Sequence, residues 1–200
     1  MSQTSRVLVL VRHGETAWTK TKQHTGRQDI PLNEEGRRQG ELLRHRLTAW
    51  PFTRVLVSPL SRARDTCVLA GLGDRAEPRT DLLEFDYGAY EGRTRTDILR
   101  ERPEWSLWRD GCPQGETVEQ VGVRVDRVLS EVRGVDGDVA IFAHGHVLRV
   151  LASRWIQQAP AFGERIALST ASVSVLGWEN SAEVIWLWND TSHLQGAGVS

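Results

Sequence analysis

Cysteine is almost absent from this 200-residue chain, which carries only Cys67 and Cys112. Cys67 falls in a helical pattern and Cys112 in a loop, and no CxxC pair occurs. Neither a disulfide framework nor a zinc knuckle is expected from that pattern. Lysine is scarce too: Lys20 and Lys22 are the only lysines among 25 basic residues. The rest are arginines, whose planar fork matches phosphate and carboxylate; a coding bias accounts for them equally well as a group. The net charge of −1 supplies no bulk field toward nucleic acid or a membrane. No apolar run approaches the eighteen or so residues of a spanning helix, and the five after Arg6 are too few for a signal-peptide core. The expectation is a cytoplasmic protein forming one domain over 1–200, long enough to bury a sizeable core.

What is present is concentrated at two places. Val7-Leu8-Val9-Leu10-Val11 stops at Arg12-His13-Gly14, and Val139-Ala140-Ile141-Phe142-Ala143 stops at His144-Gly145-His146. Short β-type runs that end at a charged, glycine-containing turn read as buried strands delivering side chains to their carboxyl ends. In open α/β sheets that edge is where ligands bind. Two such strands predict one pocket with two imidazoles facing each other.

Between these strands the pattern alternates. A long polar segment, 12–33, reads as a binding loop. Asn33-Glu34-Glu35 starts a helix with an Asn cap and acids in its first turn, and Leu42, Leu43, Leu47 and Trp50 supply its stripe. Strand 54–57 ends at Ser58-Pro59, and a helix carrying Ala63, Cys67 and Ala70 follows. Residues 85–116, rich in glycine, charge and aromatics, read as a pocket-capping insertion with a short helix near 94–102. Helix 117–133 keeps helical spacing through Val118, Val121, Val125, Val128, Leu129 and Val132. A helix over about 147–157, a hairpin of strands near 172–178 and 183–189, and a loose tail 191–200 complete the chain. The fold class predicted is α/β: a mostly parallel sheet with helices on both faces and a C-terminal antiparallel hairpin. The hairpin's free edge could pair two copies into a homodimer.

A neutral imidazole attacks phosphorus well, and Arg12 would keep His13 unprotonated by repelling the proton. The competing reading is a structural histidine. A metal held by His13, His144 and His146 is disfavoured by the positive charge of Arg12 and Arg62 and by the lack of an adjacent carboxylate. Ser58 to Thr66 places Arg62 in the first turn of a helix, whose free N–H groups suit an anion. Glu84, set between apolar residues, is expected to have a raised pKa and to act as a general acid; expelling an alkoxide needs such a donor.

Together these segments resemble the histidine phosphatase superfamily, which includes the cofactor-dependent phosphoglycerate mutases. The matching stretches are Leu10 to Thr16, Thr25-Gly26 with Pro31-Leu32, Ser58 to Thr66, Glu84 to Gly92, Gly115-Glu116-Thr117 and Ala143 to His146. The resemblance implies a phosphoglycerate mutase-like fold and a phosphorylated nucleophile at His13. It implies that Arg12, Arg62 and His144 hold the phosphoryl group and that Glu84 donates, then recovers, a proton. Thr25, Gly26, Tyr87, Gly145 and His146 would line the substrate side, and no metal or other cofactor is implied. The segment after Glu84 lacks the lysine and the longer insertion of mutases. It looks closer to the phosphatase branch, and 105–117 to sedoheptulose bisphosphatase and bacterial acid phosphatases. The partner expected is a small phosphate ester, a phosphorylated sugar and possibly a bisphosphate, with Arg109 as the candidate for a second phosphate. The alternatives are a mutase, a phosphoprotein phosphatase and a non-catalytic phospho-ligand binding module.

Overall fold

The computed structural model describes residues 6–195. Six strands form one sheet: β1 (Leu8–Arg12), β2 (Arg54–Val57), β3 (Ala76–Pro78), β4 (Val139–Ala143), β5 (Val173–Glu179) and β6 (Ala182–Asp190). Their order is β3-β2-β4-β1-β5-β6. The first four are mutually parallel, β5 runs antiparallel to β1, and β6 closes a hairpin on β5. The expected architecture is the observed one.

Alternation along the central strands explains why both faces must be covered. Leu8, Leu10, Leu56, Val139 and Ile141 point to one side, under α6 (Val118–Arg133) and α7 (Gly145–Trp155). Val9, Val11, Val55, Val57, Ala140 and Phe142 point to the other, under α2 (Glu34–Leu47) and α3 (Ser61–Leu69). Strands apolar on both faces demand helices on both faces. Truncating Leu10, Leu56 or Ile141 to alanine costs about 2–5 kcal/mol.

Local signals fix the helix starts. Asn33 Oδ1 accepts from Gly36 N at 2.8 Å. Thr117 and Gln120 form a capping box at α6, closing donors that a helix start otherwise leaves open. Gly14 and Gly36 are required by close approach: a Cβ on Gly14 would stand 2.4 Å from the Gly36 carbonyl oxygen. That contact seats the segment after β1 directly on the start of α2.

Several details depart from the sequence reading. The 12–33 segment is not plain loop. It contains α1 (Ala17–Lys20), capped by Thr16, and is pinned by bridges Thr16–Leu32 and Gln23–Thr94. Strand β3 has the composition of a connector, and proline is tolerated there because the strand is an edge. The short helix α4 is Arg95–Glu101, and α5 (Leu107–Asp110) carries no periodic signal at four residues. Helix α7 begins at Gly145, two residues before the predicted start. In the tail, residues 192–194 form a turn whose His193 donates Nε2–H to the Ala171 carbonyl at 3.0 Å, so 191–195 are anchored. The expectation for 196–200 lies outside the described residues.

Candidate active site

The site lies at the carboxyl ends of three adjacent parallel strands. In register, Arg12 of β1 is opposite Ala143 of β4. The next residues, His13 and His144, therefore emerge side by side, with ring centroids 5.1 Å apart. The His13 N–H donates to the Ala143 carbonyl at 3.0 Å, and the Ala171 N–H donates to the His13 carbonyl at 3.0 Å. The nucleophile candidate is thus held by its own backbone on both sides.

Its ring orientation is also determined. Nδ1–H donates to the Gly14 carbonyl at 2.7 Å, which leaves Nε2 with a free lone pair. His13 is buried, and its pKa is well below 6.5: burial disfavours the charged form, and Arg62 and Arg12 add repulsion. His144 shows the same depression, from burial and then from Arg62 and His13. Arg62 Nε donates to His144 Nδ1 at 3.1 Å, so His144 carries its proton on Nε2, donated to Ser58 Oγ at 2.7 Å.

The two arginines differ. Arg62 is fully buried in the first turn of α3. Besides His144 it donates to the carbonyls of Gln28, Thr25 and Gly26 at 2.9, 3.2 and 2.9 Å. It therefore organises loop 25–28 against β4 rather than presenting an open fork. The N-terminus of α3 is likewise occupied, because Asp29 accepts from Ser61 N at 2.8 Å. Arg12 donates Nη1 to the Leu168 carbonyl, yet its buried Nε has no partner. Gly145 makes room for that guanidinium: a Cβ there would stand 3.2 Å from Arg12 Cζ. A buried donor left unpaired costs about 1–3 kcal/mol; an anion beside His13 would satisfy it.

Glu84 corrects an expectation. Burial alone raises its pKa, but its carboxylate accepts from the backbone N–H of Phe85, His146 and Val147 at 2.9, 3.0 and 3.0 Å. Two of those donors belong to the first turn of α7, and the histidine rings stand nearby. The net shift is well below 4.5, not above it. A carboxylate seated on a helix N-terminus is stabilised as an anion. Alone in its pocket, Glu84 is a base; acid chemistry requires that it be loaded with a proton.

A cavity of about 330 Å³ opens over this floor, lined by Arg12, His13, Thr25, Glu84, Tyr87 and His146 and, at its rim, by Thr19, Lys22, Gln23, His24 and Arg95. Five candidates from the substrate and catalytic sets therefore share one wall with His13. Gly145 supports the wall from behind through Arg12. Gly26 does not offer its amide: that N–H donates to Glu91 Oε1 at 2.7 Å. Arg109 lies elsewhere. It is exposed, paired with Asp110 at 2.8 Å, and borders a separate cleft with Arg102 and Trp105. The expected second-phosphate role has no geometric support at Arg109, because its charge is already neutralised outside the cavity.

Lys22, His24 and Glu91 are not among the residues the sequence pattern singles out for the site, whereas Arg95 is one of the five arginines of 93–109, with Arg93, Arg100, Arg102 and Arg109, expected to supply one or two contacts to a second phosphate. Arg93, Arg100 and Arg109 each meet a carboxylate and Arg102 donates to the Tyr90 hydroxyl, whereas Arg95 and Lys22 border the cavity. Scarcity was the available signal for Lys22, one of only two lysines. Glu91 gave no signal; its carboxylate collects the amides of Gly26, Arg27 and Gln28. Among the described residues no group of three or more His, Cys, Asp or Glu has metal-site geometry, and no helix is long and apolar enough to cross a membrane.

Comparison with known proteins places these observations. The profile of the histidine phosphatase superfamily (branch 1) matches residues 8–191. An acid phosphatase of Mycobacterium tuberculosis is 39% identical over 193 residues, covering 94% of each chain. The sedoheptulose 1,7-bisphosphatase of Saccharomyces cerevisiae is 37% identical over 182 residues, covering 74% of this chain and 66% of the yeast protein. The solved open reading frame Rv3214 of Mycobacterium tuberculosis superposes with a TM-score of 0.88 at 37% identity, over 92% of this chain and 97% of that one. A more distant relative, from Cronobacter sakazakii, is named a probable phosphoglycerate mutase and is 32% identical, over 95% of each chain.

Proposed function

The chain belongs to the histidine phosphatase superfamily, and from that premise we propose that it hydrolyses phosphomonoesters of sugars through a phosphohistidine at His13, without a metal. The observation that carries the reading is the His13 ring: Nδ1–H is held by the Gly14 carbonyl, and Nε2 is neutral and free in a nest of buried positive charge. That state is a nucleophile for phosphorus and a poor resting place for a proton.

The phosphoryl group enters beside Arg12 Nε, the unpaired buried donor. His13 Nε2 attacks, the bond to the leaving oxygen breaks, and Glu84 gives that oxygen a proton. Glu84, again a carboxylate, then takes a proton from the water that attacks phosphorus, and the N–P bond breaks. Arg12 takes up the charge that develops on the equatorial oxygens, and Arg62 acts at one remove, by fixing His144 and loop 25–28.

The bisphosphatase name of the yeast relative and the two positive charges at the rim, Lys22 and Arg95, both support a substrate with a second anionic group. The mutase reading requires water to be kept from the phosphohistidine. The 93–115 segment is short, and its arginines, Arg95 apart, meet carboxylates or the Tyr90 hydroxyl.

The test is phosphate release from sugar mono- and bisphosphates in excess chelator, alongside conversion of 3- to 2-phosphoglycerate with 2,3-bisphosphoglycerate present. Chelator-insensitive release and an acid-labile, base-stable label on His13 after rapid quench are expected. Activity restored only by zinc or magnesium, or interconversion with little free phosphate, overturns the proposal. Glu84→Gln should lose about 10²–10⁴-fold on sugar phosphates and far less on p-nitrophenyl phosphate, whose leaving group needs no proton.

A further inference from the structure

The acid role asks for a proton that the free site does not hold, because Glu84 rests as an anion. Its surroundings restrict where that proton comes from. Oε1 is occupied by the N–H groups of Phe85 and Val147. Oε2 accepts from the His146 N–H at 3.0 Å, and the same residue's ring nitrogen Nδ1 lies 3.8 Å away. That Nδ1 is 2.6 Å from the Tyr87 hydroxyl. Both His146 and Tyr87 border the cavity.

We propose that His146, keyed by the Tyr87 hydroxyl, is the proton store that loads Glu84 for attack on substrates with poor leaving groups. The inference rests on the phosphohistidine reading above. A hydroxyl is the one kind of partner that serves both protonation states of Nδ1. It donates to the bare nitrogen and accepts from the protonated one, so the ring changes state without losing its hydrogen bond. When a phosphate dianion enters, repulsion raises the proton affinity of Glu84. A small ring movement then closes the 3.8 Å gap. The Nδ1–H bond breaks, an Oε2–H bond forms, the imidazolium becomes neutral and the carboxylate becomes an acid. Glu84 passes that proton to the leaving oxygen, regains one from water in the second half-reaction, and returns it to Nδ1 when the product departs.

Aromatic packing holds the ring where it borders the cavity. Trp108 of α5 packs on it with centroids 5.5 Å apart, and Arg149 of α7 lies over the Trp108 ring at 4.6 Å. The titratable and charged groups facing His146 are Glu84 and Tyr87 from the segment after β3, Arg12 from β1, Arg149 from its own helix, and His24 from the rim. Burial and the two arginines oppose its charged form, while Glu84 favours it. The loaded state therefore belongs to the acid side of 6.5.

The experiment compares kcat/KM against pH for glycerol phosphate and p-nitrophenyl phosphate in the wild type, His146→Asn, His146→Gln and Tyr87→Phe. In the wild type the ratio of alkyl to aryl activity should fall as pH rises through the titration of His146. Both His146 variants should lower that ratio tenfold or more below pH 6 and remove its pH dependence. Tyr87→Phe should move the midpoint. In ¹³C-histidine NMR of the folded protein, Glu84→Gln should shift the His146 titration to lower pH, since the carboxylate no longer supports the imidazolium. Equal losses on both substrates, an unchanged ratio, an unmoved midpoint in Tyr87→Phe or an unmoved His146 titration would overturn the relay. Failure of the reading it rests on shows separately, as the absence of a p-nitrophenol burst and of label on His13 in the wild type.

Discussion

The floor and the rim of the cavity are built on opposite principles. The floor, Arg12, His13, Arg62 and His144, is buried apart from the half-buried Arg12 and sits at strand ends or in the first turn of a helix. Its side chains are spaced by the register of β1, β4 and β2, which cannot slip without turning core residues outward. The rim, Lys22, His24 and Arg95, comes from an irregular segment and a short helix joined by the Gln23–Thr94 bridge. Chemistry that must hold to fractions of an ångström is placed on the sheet; contacts that choose among substrates are placed where sequence can vary without disturbing the core.

The comparison breaks most visibly at the floor. His13→Ala should cost on the order of 10⁴-fold or more in turnover, as loss of a nucleophile does elsewhere, with the near-ultraviolet circular dichroism retained. Residual activity near wild type would mean another group attacks phosphorus. Arg12→Ala should cost about 10²–10³-fold in kcat, the scale of one transition-state donor; a change confined to KM would show that Arg12 binds ground and transition states alike.

Buried neutral histidines also tie stability to pH, and the floor should dominate this effect. His13 and His144 have folded pKa values well below 6.5. The unfolded chain therefore takes up protons first as pH falls, and the stability these groups confer, complete above 6.5, is lost below it. Thermal midpoints measured from pH 7 down to 5 should fall by several degrees, at about 2–4 °C per kcal/mol for a chain of this size. A flat profile would show that neither ring is held neutral. Glu77, lowered to about 2 by the hydrogen bond from Arg54 against an opposing effect of burial, acts only at lower pH.

At the rim the effects should be smaller and confined to substrate choice. Lys22→Ala and Arg95→Ala should each raise KM for a sugar bisphosphate about tenfold, the value of one charge-assisted contact, with less change for a monophosphate. Equal shifts for both substrates would place the two cations outside any second anion site. Arg109→Ala should change either KM by less than about twofold, since its exposed pair with Asp110 is weakly coupled to anything else. A selective effect on the bisphosphate would return the second phosphate to the outer cleft.

How much of this was legible differs along the same line. Arg12-His13-Gly14 and His144-Gly145-His146 could be located from the strand pattern alone, because an apolar run ending in a charged turn has few other uses. Glu84 could be named but its charge state could not. The apolar neighbours Leu83 and Phe85 argued for an uncharged carboxyl. The helix start at Gly145 that reverses the sign lies sixty residues away in sequence and was itself read two residues late. Of the five arginines in 93–109, Arg109 is the candidate the sequence favours, because it stands beside Trp108 in the run that resembles the bisphosphatase branch. Asp110 is what neutralises it, and Arg95, with no partner in the pattern, is the one that faces the cavity.

The sequence by itself determined the alternation of strands and helices, the two-faced burial of the sheet and the identity of the floor residues. These depend on periodicity, capping and short-range chemistry, which are written in consecutive residues. Only the tertiary structure decided which nitrogen of His13 is free, that Arg62 spends its donors on loop 25–28, that Glu84 rests as an anion, and which cations reach the rim. Each of those depends on a partner distant in the chain, and a hydrogen bond or a local field has no periodicity by which it could be read in advance.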